Sequence, residues 1–463
     1  MATNRRLGSS FRDPSGFVFR HDGTLYRQVN HSFRDEYDAF IETGLYDRLV
    51  EKRMLVGHRE VTEPRPDSNG AYKIIAPQPI PFVSYPYEWC FGQLRAAALL
   101  TLDIALLALE YNMVLRDASA YNVQFVGYRP IFIDTLSFGR YVDGQPWAAY
   151  RQFCSHFLAP LTLMLYGDQR IASMLRSHID GIPLNLAVKL LPWKTRLRPG
   201  LLTHLHLHAR SQERHAETRV IQRPAFSKRA LQGLLENLRS TITSGRLPIR
   251  KSAWSDYYEE SSYSRIAMEG KRSQVESMID RVTPKMVWDL GANTGRFGRI
   301  AAEKGITTIA FDLDPTAVEI GYRETRQAKI ETLLPLVSDL TNPSPAVGWA
   351  HGERMSLRER GPADCVMALA LLHHLAIGAN VPLESVASFL AELGETAIVE
   401  FVPKEDSQVQ RLLASREDIF PDYSQAGFER EFGSYFTVLQ KEPIPDSQRT
   451  VYLMRKRGAT KSG

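Results

Sequence analysis

The feature that most constrains this chain is a short apolar run that carries an acid and then breaks into a glycine turn. Met286–Leu290 has the pattern of a buried strand, with Asp289 near its end. Gly291-Ala292-Asn293-Thr294-Gly295-Arg296-Phe297-Gly298 follows, and then an apolar helical stretch, Ile300–Glu303. Glycine in such a turn lets a ligand reach the backbone with no Cβ in the way. The helix start aims unpaired N–H groups at the same place. A second apolar strand, Gly305–Phe311, ends in Asp312. An acid there, about 20 residues beyond the glycines, is placed to bind both hydroxyls of a ribose. A dinucleotide site would show Gly-x-Gly-x-x-Gly. Here Asp289 precedes the first glycine, which is awkward beside a pyrophosphate and suits a cationic amino group. The implied ligand has a ribose and an amino-acid end and no phosphate.

From Val287 onward, strand, turn and helix repeat, which argues for a parallel sheet covered on both faces. Ser338-Asp339 follows the third apolar run, and Ala363–Ala370 forms a fourth, followed by Leu371-Leu372-His373-His374. Thr396–Phe401 is a fifth, and Tyr435–Leu439 and Thr450–Met454 close the series. In this order, residues 253–457 resemble class I S-adenosylmethionine-dependent methyltransferases. The resemblance implies an α/β, Rossmann-like domain with a mostly parallel seven-stranded sheet. It implies S-adenosyl-L-methionine as cofactor, bound by Asp289, Gly291, Asn293, Gly295, Asp312, Asp339 and Ala370. Asp312 would hold the ribose and Asp339 the adenine amine. Asn293 stands where many members have glycine. His373 or His374 is expected to act as catalytic base, because an imidazole ordinarily titrates near working pH. Methyl transfer to an oxygen or nitrogen needs alignment and exclusion of water more than a nucleophile. The acceptor stays unidentified. The run after the fourth strand lacks Asn/Asp-Pro-Pro-Tyr, which argues against DNA adenine or glutamine as acceptor. Trp254, Tyr257, Tyr258 and Tyr263 precede the first helix and are candidates for an aromatic lid over the sulfonium or for ordinary packing.

The amino-terminal half carries a second pattern. Gly16–Val29 alternates around Asp22-Gly23, a hairpin signal. Phe33–Lys52 has helical spacing, Pro77–Pro86 is an extended connector, and Gln93–Tyr111 is a buried helix. Arg116-Asp117-Ala118-Ser119-Ala120-Tyr121-Asn122 then precedes two short strands, Val123–Val126 and Pro130–Ile133, the second followed by Asp134. These residues resemble the catalytic and metal-binding loops of protein kinases and aminoglycoside phosphotransferases. That implies Asp117 as base and Asn122 and Asp134 as Mg²⁺ ligands. The phosphate-covering glycine loop and the Val-Ala-Ile-Lys strand are missing, and Arg27 is a poor replacement for the lysine. The expectation is a kinase-like, degenerate α+β domain that selects substrate or regulates. An active phosphotransferase, giving a bifunctional enzyme, and an unrelated helical domain are the alternatives. A cofactor-binding module without turnover is the alternative for the carboxy-terminal half.

At roughly 100–200 residues per domain, 463 residues suggest more than one domain. The expected division is 1–190 kinase-like, 191–250 a basic helical extension and 251–463 methyltransferase. Between Lys194 and Lys251 stand thirteen basic residues against three acids, a local +10 that leaves −5 on the rest of a +5 chain. This stretch is expected to be a helical connector or to meet an anionic surface. Nucleic acid is not expected, since no aromatic residues alternate with its basic ones. His204, His206 and His208 lack a Cys or carboxylate at short spacing to complete a metal site. Cys90, Cys154 and Cys365 lie too far apart for a disulfide framework, as in a reduced, cytoplasmic protein. The greasiest run, Ala96–Leu109, is interrupted by Asp103 and falls short of the ~20 residues of a membrane span.

Overall fold

The computed structural model describes residues 5–66, 70–210, 226–248, 263–414 and 416–458. The chain forms two compact units, Met1–Pro248 with Ala346–Arg354, and Ile249–Pro345 with Met355–Gly463.

The first unit begins with an antiparallel sheet of β1 (Arg5–Arg6), β2 (Gly16–His21), β3 (Thr24–Asn30), β4 (His58–Val61) and β5 (Ala71–Pro77), in spatial order β1-β2-β3-β5-β4. Asp22 and Gly23 turn the β2–β3 hairpin with φ of 48° and 77°, the left-handed pair that a tight two-residue turn requires. The expected single helix over 33–52 is split into α1 (Arg34–Glu42) and α2 (Leu45–Glu51). Gly44, at φ 78°, makes the break. The buried helix is α3 (Phe91–Glu110), 20 residues long. Its length therefore does satisfy a membrane span, contrary to the expectation from the shorter apolar run. Its faces are instead taken up inside the unit, by a helix described below and by β8 (Arg129–Phe132) among others. β6 (Met113–Leu115) pairs with β9 (Phe138–Arg140), and β7 (Val123–Val126) pairs with β8.

The basic stretch is not a free extension where it is described. Helix α4 (Lys228–Ser244) lays Leu231, Leu235, Leu238 and Ile242, all buried, against α3. Arg239 on α4 ion-pairs with Asp103 on α3 at 2.6 Å, which explains the acid inside the apolar run. His204 and His206 lie in a helical segment. They bond separately, His204 to Tyr150 Oη (2.7 Å) and Asn237 Oδ1 (2.8 Å), His206 to Thr195 Oγ1 (2.9 Å). The three cysteines are buried free thiols.

The second unit is built on β10 (Met286–Leu290), β11 (Thr307–Asp312), β12 (Leu333–Val337), β13 (Ala363–Ala368), β14 (Gly394–Phe401), β15 (Phe436–Pro443) and β16 (Thr450–Lys456). Their order is β12-β11-β10-β13-β14-β16-β15. The strands from β12 to β14 are mutually parallel, and β16 runs antiparallel between β14 and β15. The strand order reverses at β10, between β11 and β13, which in an open α/β sheet opens a crevice at the carboxyl ends of the strands. This is a Rossmann-like α/β fold with a mostly parallel seven-stranded sheet. Helices α5 (Arg265–Val282) and α6 (Gly298–Glu303) are among those packed around it. Val275, Met278 and Ile279 of α5 join Val287, Met367, Ile398 and Leu453 of the strands in one core.

Candidate functional site

The crevice is built from the turn after β10. Gly291, Asn293 and Gly295 all have positive φ, at 72°, 54° and 81°. Asparagine is among the non-glycine residues that tolerate this region best, which explains its use where glycine is commoner in the resemblance. The amides of Gly291 and Ala292 both donate to the carbonyl of Phe311 at 2.9 Å, so the turn folds back over the end of β11.

The acids hold this turn. Asp289 is 2% exposed, and its Oδ2 accepts the amide of Gly298 at 2.8 Å. A Cβ on residue 298 would lie 2.9 Å from that oxygen, so glycine is what admits the carboxylate to the start of α6. Burial pushes the Asp289 carboxyl up to about 7, against the opposing pull of the Gly298 amide and the Lys271 ammonium. Asp312 accepts the amide of Asn293 on Oδ2 (2.7 Å) and that of Asp314 on Oδ1 (2.8 Å). Burial pushes its carboxyl up to about 6. The amide of Leu313 also bears on this carboxylate, which still has lone-pair capacity for a ligand hydroxyl. The amide of Ser338 donates to the carbonyl of Asp312 at 2.8 Å, bringing the residue after it, Asp339, to the same edge. Asp339 Oδ1 accepts both the amide and the hydroxyl of Thr341, at 2.8 and 2.6 Å. Ala370, just beyond β13, is half-buried with φ 52°. Thus Asp289, Asp312, Asp339 and Ala370 all fall at the carboxyl ends of neighbouring strands.

The histidines differ from expectation. His373 is fully buried, and neither of its ring nitrogens has a hydrogen-bond partner among the described residues. Burial drives its pKa well below the ordinary value, and His374, Arg449 and Lys271 lower it further. Half-buried His374 is lowered to about 4, by burial first and Arg449 second. Desolvation and the neighbouring cations thus both favour the neutral form of the two rings.

What sequence reasoning missed is a buried ion cluster beside these groups. Lys271 on α5 reaches Glu400 near the end of β14, Nζ to Oε2 at 2.6 Å, with both side chains buried. Arg449, just before β16 and 1% exposed, pairs with Glu400 at 3.4 Å. It also reaches Asp406 through two bonds of 2.8 and 3.0 Å. Tyr263 donates its hydroxyl to Glu400 and receives a bond from Lys271 Nζ at 3.1 Å. The rings of Tyr263 and Phe297 face the ammonium, at 4.9 and 4.3 Å from their centroids. Burial alone would raise the Glu400 carboxyl, but Lys271 and Arg449 outweigh it and hold it below the usual range. No local signal points to this cluster, because its members come from separate parts of the chain. Of the lid candidates, Tyr263 is thus engaged here, while Trp254, Tyr257 and Tyr258 lie outside the described residues.

In the first unit, Asp117, Asn122 and Asp134 converge. Asp117 Oδ1 accepts the amide of Ser119 at 2.9 Å. Burial, and then the charge of Asp134, raise its carboxyl. Asn122 Nδ2 and Asp134 Oδ2 meet at the hydroxyl of Ser137, at 3.3 and 2.6 Å. Arg27 ion-pairs with Asp134 and, at 3.1 Å, with Asp13. A cation from the hairpin therefore sits on the carboxylate that the kinase resemblance would give to a metal. Among the described residues no group of three or more His, Cys, Asp or Glu side chains is arranged to hold a metal ion.

No protein-family model matches the chain. The chain is 37% identical over 461 residues to the nodulation protein NoeA of Rhizobium meliloti (strain 1021), covering 97% of this chain and 96% of that protein. Among solved structures it is similar to the magnesium protoporphyrin IX methyltransferase ChlM of Synechocystis PCC 6803 with bound SAH. That match has 17% identity and a TM-score of 0.31, and covers 44% of this chain and 93% of that one. It is also similar to WbdD, in a co-crystal with the kinase inhibitor LY294002, at 14% identity and a TM-score of 0.31, over 47% of each chain.

Proposed function

The chain belongs to the same family as nodulation protein NoeA. From the geometry of the crevice, we propose that its second unit is an S-adenosylmethionine-dependent methyltransferase acting on an oxygen or nitrogen of an acceptor. One observation carries the reading. Two carboxylates, Asp289 and Asp312, stand at the ends of adjacent central strands, each held by an amide of the glycine turn. That pair suits a ligand with a cationic amino group at one end and a ribose diol at the other. Bound there, the cofactor supplies a methyl group already activated on a sulfonium. Asp289 would face the amino group and Asp312 the ribose hydroxyls, with Gly291, Asn293 and Gly295 keeping the turn open to the ligand. Asp339 and Ala370 would flank the adenine. His374, neutral at working pH, would accept a hydrogen bond from the acceptor's hydroxyl or amine and orient it toward the methyl group, the proton leaving to solvent after transfer. The Lys271–Glu400–Arg449 cluster would fix α5 and the ends of β14 and β16 around the pocket and exclude water from it.

For the first unit the reading is a kinase-like, catalytically degenerate domain that selects the acceptor or regulates the enzyme. The ion pair of Arg27 with Asp134 favours it over an active phosphotransferase.

Calorimetric titration with S-adenosylmethionine, combined with transfer of labelled methyl groups into fractionated cell extract, tests the proposal. Wild-type protein binds and transfers, and Asp312→Ala loses about tenfold or more in affinity, as expected for charge-assisted bonds. Binding without transfer to any fraction makes the unit a cofactor-binding module. No binding removes the proposal.

A further inference from the structure

A surface of the first unit combines three properties. The first is exposed apolar bulk. Trp193 is 72% exposed, Leu197 68% and Leu190 53%, all within one short stretch. Water-facing clusters of this kind mark interaction sites. The second is charge of one sign. From Gly181 to Arg210 the chain has no Asp or Glu, while Lys189, Lys194, Arg196, Arg198 and Arg210 are all exposed. The positive field reaches inward to His206, which burial lowers first and Arg196 and Arg210 lower further. The third is a cavity of about 600 Å³ beside the same turn, with no acid in its lining. Lys194, Arg198 and Arg246 stand in its wall, along with Phe91, Leu161 and Ile242. The turn Trp193–Leu197 thus supplies both the exposed Trp193 and Leu197 and one of the cavity's cations.

We propose that the stretch Leu190–Arg198 docks this protein on the surface of a bilayer rich in anionic lipids, with the adjoining cavity receiving a phosphate headgroup and the start of its chain. Tryptophan and leucine inserted at headgroup depth, ringed by lysine and arginine, are what an interfacial anchor needs. Basic residues add attraction to anionic leaflets and confer salt sensitivity. A second copy of the chain is disfavoured as occupant, because self-association would set like charges against each other. Nucleic acid would use the cations but leave Leu190 and Leu197 in water. The proposal is independent of the methyltransferase reading, since none of its residues belongs to the second unit.

The test is co-sedimentation of the full-length protein with vesicles of phosphatidylcholine alone and of phosphatidylcholine mixed with phosphatidylglycerol. Wild-type protein binds the mixed vesicles about tenfold or more tightly than the neutral ones, and salt releases it. Trp193→Ala with Leu197→Ala lowers binding to mixed vesicles about tenfold at an unchanged melting temperature, since both side chains face water. Arg198→Glu with Arg246→Glu removes the preference for anionic lipid. Equal binding to both vesicle types overturns the proposal, as does wild-type binding by the Trp193/Leu197 variant. So does a concentration-dependent dimer that the same variant dissolves while vesicles are ignored, which makes the surface a self-interface. Retention on duplex nucleic acid in place of vesicles overturns it as well.

Discussion

The carboxyl of Asp289 offers the sharpest check on the cofactor reading, because its titration couples to binding. It is buried, and its ordinary value of 3.8 is raised to about 7. Without ligand, its neutral form therefore accumulates below about pH 7. A ligand with a cationic amino group needs the anion, so below that value binding must first expel a proton. If only the anion binds, the competent share is about three quarters at about pH 7.5 and about one thirtieth at about pH 5.5. The affinity for S-adenosylmethionine then falls about 20-fold across that window, and Asp312, at about 6, adds about fourfold. Affinity rises with pH and levels off about one unit above the Asp289 value. His374 titrates at about 4, outside the window. The folded state without ligand shows the mirror effect. A carboxyl whose folded pKa is raised gives its full stability below 3.8 and loses it as pH rises through about 7. Calorimetry across the window, on wild-type protein and on Asp289→Asn, measures the slope directly. The amide variant binds more weakly and loses most of the pH dependence. A flat or falling affinity with rising pH, or an unchanged slope in Asp289→Asn, refutes the placement of Asp289 beside a cation.

Three further outcomes follow from the geometry. Lys271→Met takes from the buried Glu400 carboxylate its shorter ion pair, leaving Arg449 and Tyr263, and lowers unfolding free energy by up to about 3 kcal/mol in urea titration, while Lys271→Met with Glu400→Leu recovers most of it; unchanged stability in the single variant contradicts the buried pair. Gly298→Ala puts a Cβ at 2.9 Å from Asp289 Oδ2, costs about 1–3 kcal/mol of stability and weakens cofactor binding; a variant that melts and binds like wild type shows that this contact is slack. Because Arg27 pairs with Asp134, ATP with Mg²⁺ leaves the melting temperature of the wild-type chain unchanged; a Mg²⁺-dependent rise that disappears in Asp134→Ala would establish a working nucleotide site and end the degenerate reading.

The sequence announced the parts of the fold whose causes are local. The Asp22-Gly23 hairpin and the turn from Gly291 to Gly295 were legible because positive φ selects few residues. The basic stretch 191–250 was legible as helical, though not that the helix Lys228–Ser244 within it packs on α3. Its position there also accounts for Asp103, whose partner Arg239 stands far along the chain. The histidine pair shows the converse. Residue type alone gives an imidazole its ordinary pKa, and only the depth of burial and the cations Lys271 and Arg449 move it away.

By itself, then, the order of residues determined which segments of the second unit become strands, where the glycine turn opens, and which acids follow the apolar runs, since backbone sterics and apolar periodicity act over a few residues. Tertiary structure alone decided that Lys271, Glu400 and Arg449 meet out of water and that Arg27 covers Asp134. It also left Trp193 and Leu197 in solvent. Those outcomes depend on distance and dielectric, and both are set only when remote parts of the chain pack together.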